Sequence, residues 1–202
     1  MNEFPNRKYS IIYADPPWKY NSRANRETRF RRGACGHYNL MTMEEIKSLP
    51  VPDIAGDDCA LFLWTTFPYL EDQIKLFEHW GFSYRTIGFL WVKANPRVWR
   101  EAYENGIEWG VGPVEFLKKL IFFGVGYYTK SNPEACLLGI KGRMKPVSNK
   151  VSNVVIAPRR EHSRKPDEVR SGIVELFGDL PRIELFARGS YSGWDVWGNE
   201  AK

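Results

Sequence analysis

Asp15-Pro16-Pro17-Trp18 concentrates more potential chemistry than any other short stretch of this 202-residue sequence. A carboxylate can accept a hydrogen bond from one hydrogen of an exocyclic amino group. A backbone carbonyl held by proline can accept the other. The amino group of a base such as adenine is a poor nucleophile, because its lone pair is delocalised into the ring. Two acceptors favour a tetrahedral nitrogen and stabilise the positive charge that develops when it is alkylated. Consecutive prolines fix φ and aim the carbonyl. The Trp18 ring can stack on a base turned out of its helix. The plainer alternative is a strand stopped by prolines and followed by a buried tryptophan. On these four residues alone the two readings balance.

A second candidate follows directly. Within residues 19–37, Lys19, Arg23, Arg26, Arg29, Arg31 and Arg32 stand against Glu27, a surplus equal to the net charge of +5 for the whole chain. A basic segment leaving from Trp18 suits phosphate contact, with Arg23, Arg26 and Arg29 as candidates; the alternative is a solvated loop. The three cysteines, Cys35, Cys59 and Cys136, lack disulfide-framework spacing. Cys35-Gly36-His37 offers two metal-ligand types without the further two that a structural zinc needs, so no metal is expected. The N-terminus has no apolar signal region, and no apolar run is long enough to span a membrane. The expectation is a soluble, cytoplasmic protein.

These groups must be held by something. Tyr9–Ala14 reads as a buried strand stopped by the prolines. Thr42 to Glu45 fits a capping box opening a short helix that ends before Pro50. Cys59–Trp64, Tyr84–Val92, Ala135–Ile140, Asn153–Ala157 and Arg182–Ala187 read as five more strands. Tyr69–Trp80 reads as a helix with Leu70, Ile74, Phe77 and Trp80 on one face and Gly81 as its stop. A last helix starts near Ser163 or Pro166, presents Val169, Ile173, Leu176 and Phe177, and stops at Gly178. Residues 95–130 read as an insertion, helical over Glu115–Phe123, around a glycine-rich loop at 124–128. Strands alternating with helices imply one α/β domain over residues 1–202 with a largely parallel sheet, both faces covered. Ligands in such folds bind beyond the carboxyl ends of the strands. Asp15 and Arg188 stand at two of those ends.

Several segments in one order resemble the MT-A seventy-kilodalton family. It includes the catalytic subunit of the eukaryotic mRNA adenine methyltransferase and many bacterial and phage DNA adenine methyltransferases. Ile12 to Trp18 resembles its catalytic motif, and His37 to Thr42 its tyrosine-containing loop. Leu61 to Trp64 and Trp91-Val92-Lys93 resemble its core strands. Asn132 to Gly139 resembles its N-x-E-x-C-L-x-G segment, and Ser163 to Glu168 its S-x-K-P-D-E helix start. Ile183 to Arg188 and Trp194 to Asn199 resemble its cofactor-binding C-terminal segment. The similarity spans roughly residues 9 to 200.

The resemblance implies a Rossmann-like methyltransferase fold in permuted order, the catalytic motif preceding the cofactor motif. It implies transfer of a methyl group from S-adenosylmethionine to N6 of adenine. Asp15, Lys165, Arg188, Asn199 and Glu200 would meet the cofactor. Cations suit its methionine carboxylate, and polar side chains suit its ribose hydroxyls. Tyr38, Asn132 and Glu134 would line the base pocket, with Tyr127 or Tyr128 near Asn132 as a further candidate; the alternative for the tyrosines is ordinary packing. With the first strand starting near residue 9, no counterpart is expected for the upstream Asp-containing segment that holds the cofactor adenine in the mRNA enzyme. DNA is favoured over RNA, because no zinc finger or RNA-binding module is visible; the setting would be a bacterium or an infected host cell, the protein a monomer or homodimer. RNA methylation, an inactive nucleic-acid-binding partner and a cytosine amino methyltransferase are the alternatives. The intact Asp-Pro-Pro-Trp speaks against the second, and its Trp against the third.

Overall fold

The computed structural model describes residues 3–19, 40–105, 112–124, 128–160 and 164–198. Their strands are β1 (Tyr9–Ala14), β2 (Ala55–Thr65), β3 (Ser83–Ala94), β4 (Glu134–Lys141), β5 (Val154–Pro158), β6 (Arg182–Leu185) and β7 (Asp195–Trp197). The helices are α1 (Met43–Lys47), α2 (Val51–Ile54), α3 (Leu70–His79), α4 (Pro96–Asn105), α5 (Pro113–Leu120) and α6 (Asp167–Phe177). The described strands form a single sheet in the order β5-β3-β4-β2-β1-β6-β7. β1 runs parallel to β2 and β6, β3 to β5, and β6 to β7. Only β4 runs against its neighbours, β2 and β3. The largely parallel α/β sheet expected from the alternation is present, and it is consistent with the Rossmann-like fold that the resemblance implies.

Both faces of the sheet are covered, so its strands read as apolar runs rather than as alternating patterns. Residues of β1 alternate between two cores. Ile12 and Ala14 join Leu61, Leu63, Ile46 of α1 and Leu76 and Phe77 of α3. Ile11 and Tyr13 join Phe62, Trp64 and Val169, Ile173 and Phe177 of α6. Burying a side chain such as Phe77 or Ile173 contributes about 2 kcal/mol. Gly139 of β4 lets α3 lie close: a Cβ there would meet the Phe77 ring at 2.2 Å.

The helix ends follow their local chemistry. Thr42 and Glu45 form the expected reciprocal capping box. α3 buries Gln73, Leu76 and Phe77, with Trp80 just past its end, while Leu70 and Ile74 are only partly buried. It ends at Gly81, whose φ is 79°. The Gly81 N–H donates to the Glu78 carbonyl and the Phe82 N–H to that of Phe77, a Schellman closure. Pro166 caps α6, which stops at Gly178.

Two expected bounds are shortened and three elements are additions. α2 and α4 are added helices, and none of the described side chains of α4 is buried. α5 ends at Leu120, short of Phe123, because Ile121 is extended and bridges to Ala94. β6 ends at Leu185 rather than Ala187, because Phe186 adopts φ 62° and turns the chain. β7 is too short to show as an apolar run, but it pairs beside β6, Ile183 to Asp195 and Leu185 to Trp197. No helix of the described residues is long and apolar enough to cross a membrane.

Under the β1–β6 half lies a buried ion pair. Arg170 donates to both carboxylate oxygens of Glu184, at 2.6 and 2.8 Å, and its guanidinium lies 3.6 Å from the Tyr191 ring centre. It ties α6 to the strand that leads into Arg188. Burial pushes the Glu184 carboxyl above its usual range despite Arg170.

Candidate active site

The registers bring the chemistry to one edge of the sheet. Ala14 pairs with Leu63 and Leu185, Leu185 with Trp197, and Trp91 with both Glu134 and Val155. The carboxyl ends of β1, β2, β3, β5, β6 and β7 therefore share that edge with the start of β4. Asp15, Lys93, Glu134 and Arg188 all emerge there, as the rule for open α/β sheets requires.

Asp15 leaves β1 where the ladder must stop, since Pro16 and Pro17 have no N–H to donate. The Trp18 N–H donates to the Pro16 carbonyl at 2.9 Å, and the Met41 N–H to the Pro17 carbonyl at 2.8 Å. The Lys19 N–H returns a bond to the Met41 carbonyl at 2.8 Å. Each proline carbonyl keeps a second lone pair for another donor. These bonds tie Pro17 and Lys19 to Met41, beside Asp15. Trp18 is 8% exposed, and its indole N–H donates to the Trp64 carbonyl at 3.3 Å. The tryptophan is thus an anchor between β1 and β2, with little ring surface open to a base. The strand-stop reading and the carboxylate-bearing reading of this motif hold together.

Four charged side chains of alternating sign line up beside it. Lys165 Nζ lies 2.9 and 2.8 Å from the two oxygens of Asp15 and 3.3 Å from Glu134 Oε2. Glu134 Oε1 lies 2.7 Å from Lys93 Nζ. The Lys165 side chain is only 10% exposed, and its ammonium sits 5.2 Å from the Trp64 ring centre. Burial would lower the Lys165 pKa, but Asp15 and Glu134 outweigh it and hold it above the ordinary lysine value. Arg188 is near enough to oppose that rise. Burial likewise pushes Glu134 up, while Lys165 and then Lys93 pull it below the usual carboxylate range. The linkage follows in sign. Stability from Glu134 is present above the ordinary glutamate pKa and lost as pH falls through its lowered one. Stability from Lys165 is present below the ordinary lysine pKa and lost as pH rises through its raised one. Glu134 and Lys165 therefore both keep their charge across the neutral range.

Asn132 does different work. Its side-chain oxygen accepts the Lys93 N–H at 3.1 Å, and its NH₂ donates to the Lys93 carbonyl at 2.8 Å and to the Phe122 carbonyl. The amide pins the end of β3 and the exit of the insertion, and both of its N–H groups are used. Tyr38, Tyr127, Arg23, Arg26, Arg29, Asn199 and Glu200 lie outside the described residues. Lys93 is the member of the site that motif reading passes over. Its signal is a charge closing the apolar run Tyr84–Val92.

Cys59 and Cys136 take no part, and Cys35 lies outside the described residues. Burial raises the thiols of Cys59, to about 12, and Cys136, which keeps both protonated. No group of three or more potential metal ligands occurs among the described residues.

A family model described as MT-A70 matches residues 9–200. The chain belongs to the MT-A70 family. The type II methyltransferase M.MunI of a Mycoplasma species is 35% identical over 216 residues, covering 98% of this chain and 80% of that protein. The N(6)-adenosine-methyltransferase MT-A70-like protein of Arabidopsis thaliana is 29% identical over 195 residues, 95% of this chain and 24% of its own length. The human N(6)-adenosine-methyltransferase catalytic subunit METTL3 is 27% identical over 197 residues, 96% of this chain and 28% of its own. The chain thus spans most of the Mycoplasma protein and about a quarter of the plant and human ones. Family membership and these relatives make it an adenine-N6 methyltransferase.

Proposed function

We propose that this MT-A70 chain methylates N6 of adenine in DNA, with S-adenosylmethionine as donor and Asp15 as the acceptor that orients the amino group. The observation that carries the reading is Asp15 at the carboxyl end of β1, held through both oxygens by Lys165. The donor set at this edge fits a zwitterionic sulfonium ligand. Lys165 and Arg188 are cations for its carboxylate, and Asn199 and Glu200, which follow Gly198 in the sequence, would supply polar groups for its ribose hydroxyls. When bound, the cofactor supplies an electrophilic methyl group.

The chain's own residues supply geometry and charge. Asp15 accepts one amino hydrogen and the free lone pair of the Pro16 carbonyl accepts the other. The nitrogen lone pair is then directed out of the ring plane, and the positive charge that grows on it meets a carboxylate. Lys165 fixes the direction of that carboxylate. Tyr38 and Glu134 border the base, and Asn132 keeps Glu134 in place by pinning the neighbouring strand end. Removing Arg188 by Arg188→Ala weakens S-adenosylmethionine binding by about 10- to 100-fold, the worth of a charge-assisted hydrogen bond. Unchanged affinity by calorimetry would remove Arg188 from the site.

DNA is the favoured polymer, because the relative matched over most of its own length is named as a type II methyltransferase. RNA is the second reading, on the strength of the relatives named as N(6)-adenosine-methyltransferases. The test is incubation with labelled cofactor and matched DNA and RNA oligomers, followed by nucleoside analysis. N6-methyldeoxyadenosine from DNA supports the proposal. N6-methyladenosine from RNA alone replaces it with the second reading, and label on cytosine overturns both. The basic segment adds a separate expectation. Neutralising Arg23, Arg26 and Arg29 reduces the slope of log affinity against log salt by about 2 to 3 on duplex DNA, near 0.9 for each phosphate no longer neutralised. An unchanged slope returns those arginines to solvent.

A further inference from the structure

We propose that Lys93 is a positioning residue for methyl transfer, holding Glu134 so that the Lys165 ammonium stays on Asp15. This rests on the reading that Asp15 is the amino acceptor. The argument is one of sharing. Lys165 has three N–H groups and two carboxylates within reach. It sits closer to Asp15, at 2.8 and 2.9 Å, than to Glu134, at 3.3 Å. Lys93 holds the other oxygen of Glu134 at 2.7 Å, the shorter of the two Glu134 ion pairs. A carboxylate satisfied on one oxygen competes less for a second cation. Without Lys93, two half-buried carboxylates would divide one ammonium, and Lys165 would be drawn from Asp15 toward Glu134.

The surroundings of Lys93 suit that task. Its N–H and carbonyl are both bound by the Asn132 amide, and the carbonyl also accepts the Phe122 N–H at 2.9 Å. Its ammonium lies 5.5 Å from the ring centre of Trp91, two residues back on the same strand face. Trp91 is paired in register with Glu134. Backbone clamp, aromatic floor and strand register thus all place the Lys93 ammonium against Glu134. The Lys93 side chain is only 19% exposed. An ammonium drawn inward at a strand end needs a partner that repays its desolvation, and Glu134 is that partner.

Lys93 at the end of β3 and Lys165 before α6 bear directly on Glu134, while Asp15 after β1 and Arg188 after β6 bear on Lys165. Burial pushes the Glu134 carboxyl up, and Lys165 and Lys93 pull it down. Deleting Lys93 moves it up. Protonation of Glu134, and with it the loss of the row, then begins at higher pH.

The test measures DNA adenine methylation against pH for Lys93→Met, Lys93→Arg, Glu134→Gln and the double variant Lys93→Met/Glu134→Gln. Lys93→Met lowers kcat roughly tenfold near neutrality with KM for DNA little changed, and moves the acid limb of the profile to higher pH. Lys93→Arg restores kcat to within about threefold, since a cation at that place suffices. The double variant is no slower than Glu134→Gln alone, because Lys93 acts through Glu134. Wild-type rate and profile in Lys93→Met would overturn the proposal. So would a double variant showing the product of the two single losses, which would mark Lys93 as acting directly on the nucleic acid. Should Lys93→Met fail to fold, as read from its melting curve, Lys93→Gln takes its place with the same expectations. Asp15→Ala is run alongside. If it is active, the underlying reading fails and takes this proposal with it; if it is dead while Lys93→Met is unimpaired, only the role of Lys93 falls.

Discussion

Asp15→Ala is expected to lower kcat for adenine methylation by roughly a thousandfold while cofactor binding changes little, in the range seen when a donor or acceptor aimed at developing charge is removed. The reasoning starts from the nucleophile. Without an acceptor beside it, the amino nitrogen stays planar and its lone pair stays in the ring. The Pro16 carbonyl alone leaves one hydrogen of the amino group undirected. The loss belongs in kcat rather than in KM, because the interaction strengthens only as charge develops on nitrogen. Lys165 complicates the experiment in a predictable way. Its bonds to the Asp15 oxygens, at 2.8 and 2.9 Å, disappear, and Glu134 at 3.3 Å remains. Its ammonium is then left with one carboxylate, so the melting temperature drops without loss of the fold. Asp15→Asn keeps the shape and one acceptor oxygen but not the charge, and is expected to stay severely impaired. Turnover near wild type in either variant would remove Asp15 from the mechanism, whatever the stability.

Gly198→Ala carries the second large effect, on cofactor affinity. A Cβ at residue 198 would lie 2.6 Å from the Ala187 carbonyl oxygen, 2.7 Å from the Ala187 nitrogen and 2.9 Å from the Phe186 carbonyl carbon. All three are backbone atoms, so no side chain can swing aside, and one of the two chain segments must move. One segment leads into Arg188. The other leads into Asn199 and Glu200. The crossing is already tightly specified. Phe186 holds φ 62°, a conformation that costs an aromatic residue about 1–3 kcal/mol and persists only where its surroundings impose it. Here they do so through the Ala187 N–H on the Trp197 carbonyl, at 3.0 Å, and the Phe186 ring set edge-on to Trp197. Calorimetry on Gly198→Ala is expected to show S-adenosylmethionine affinity reduced by more than about tenfold, since a shift of this size displaces charge-assisted hydrogen bonds. Gly189→Ala is the control. A Cβ there meets nothing within 4 Å, so its affinity stays near wild type. Equal affinities for the two variants would separate the crossing from the cofactor.

The sequence by itself determined most of the element pattern and the carboxylate that stands where β1 stops. Buried parallel strands are apolar on both faces, so β1 could be read to the residue from Tyr9 to Ala14, and two prolines announced where it must stop. The capping box at Thr42 and the glycine stops of α3 and α6 were legible because caps and stops are local interactions. The basic segment could be seen as a charge surplus. Asp15 itself was legible because carboxylate and prolines are adjacent in the chain. What lay beyond local chemistry was settled only in three dimensions. β7 and the turn at Phe186 exist through pairing and a backbone crossing, not through propensity. Trp18, for which stacking and burial were both open, is buried, with its indole N–H on the Trp64 carbonyl of β2. Asn132, read as a base contact, spends its amide on Lys93 and Phe122. The row Asp15–Lys165–Glu134–Lys93 joins residues up to 150 positions apart. No spacing in the chain encodes it; the strand registers that bring six carboxyl ends and one amino end to the same edge do. The motif Asp15-Pro16-Pro17-Trp18 named a carboxylate, and the fold decided which charges surround it.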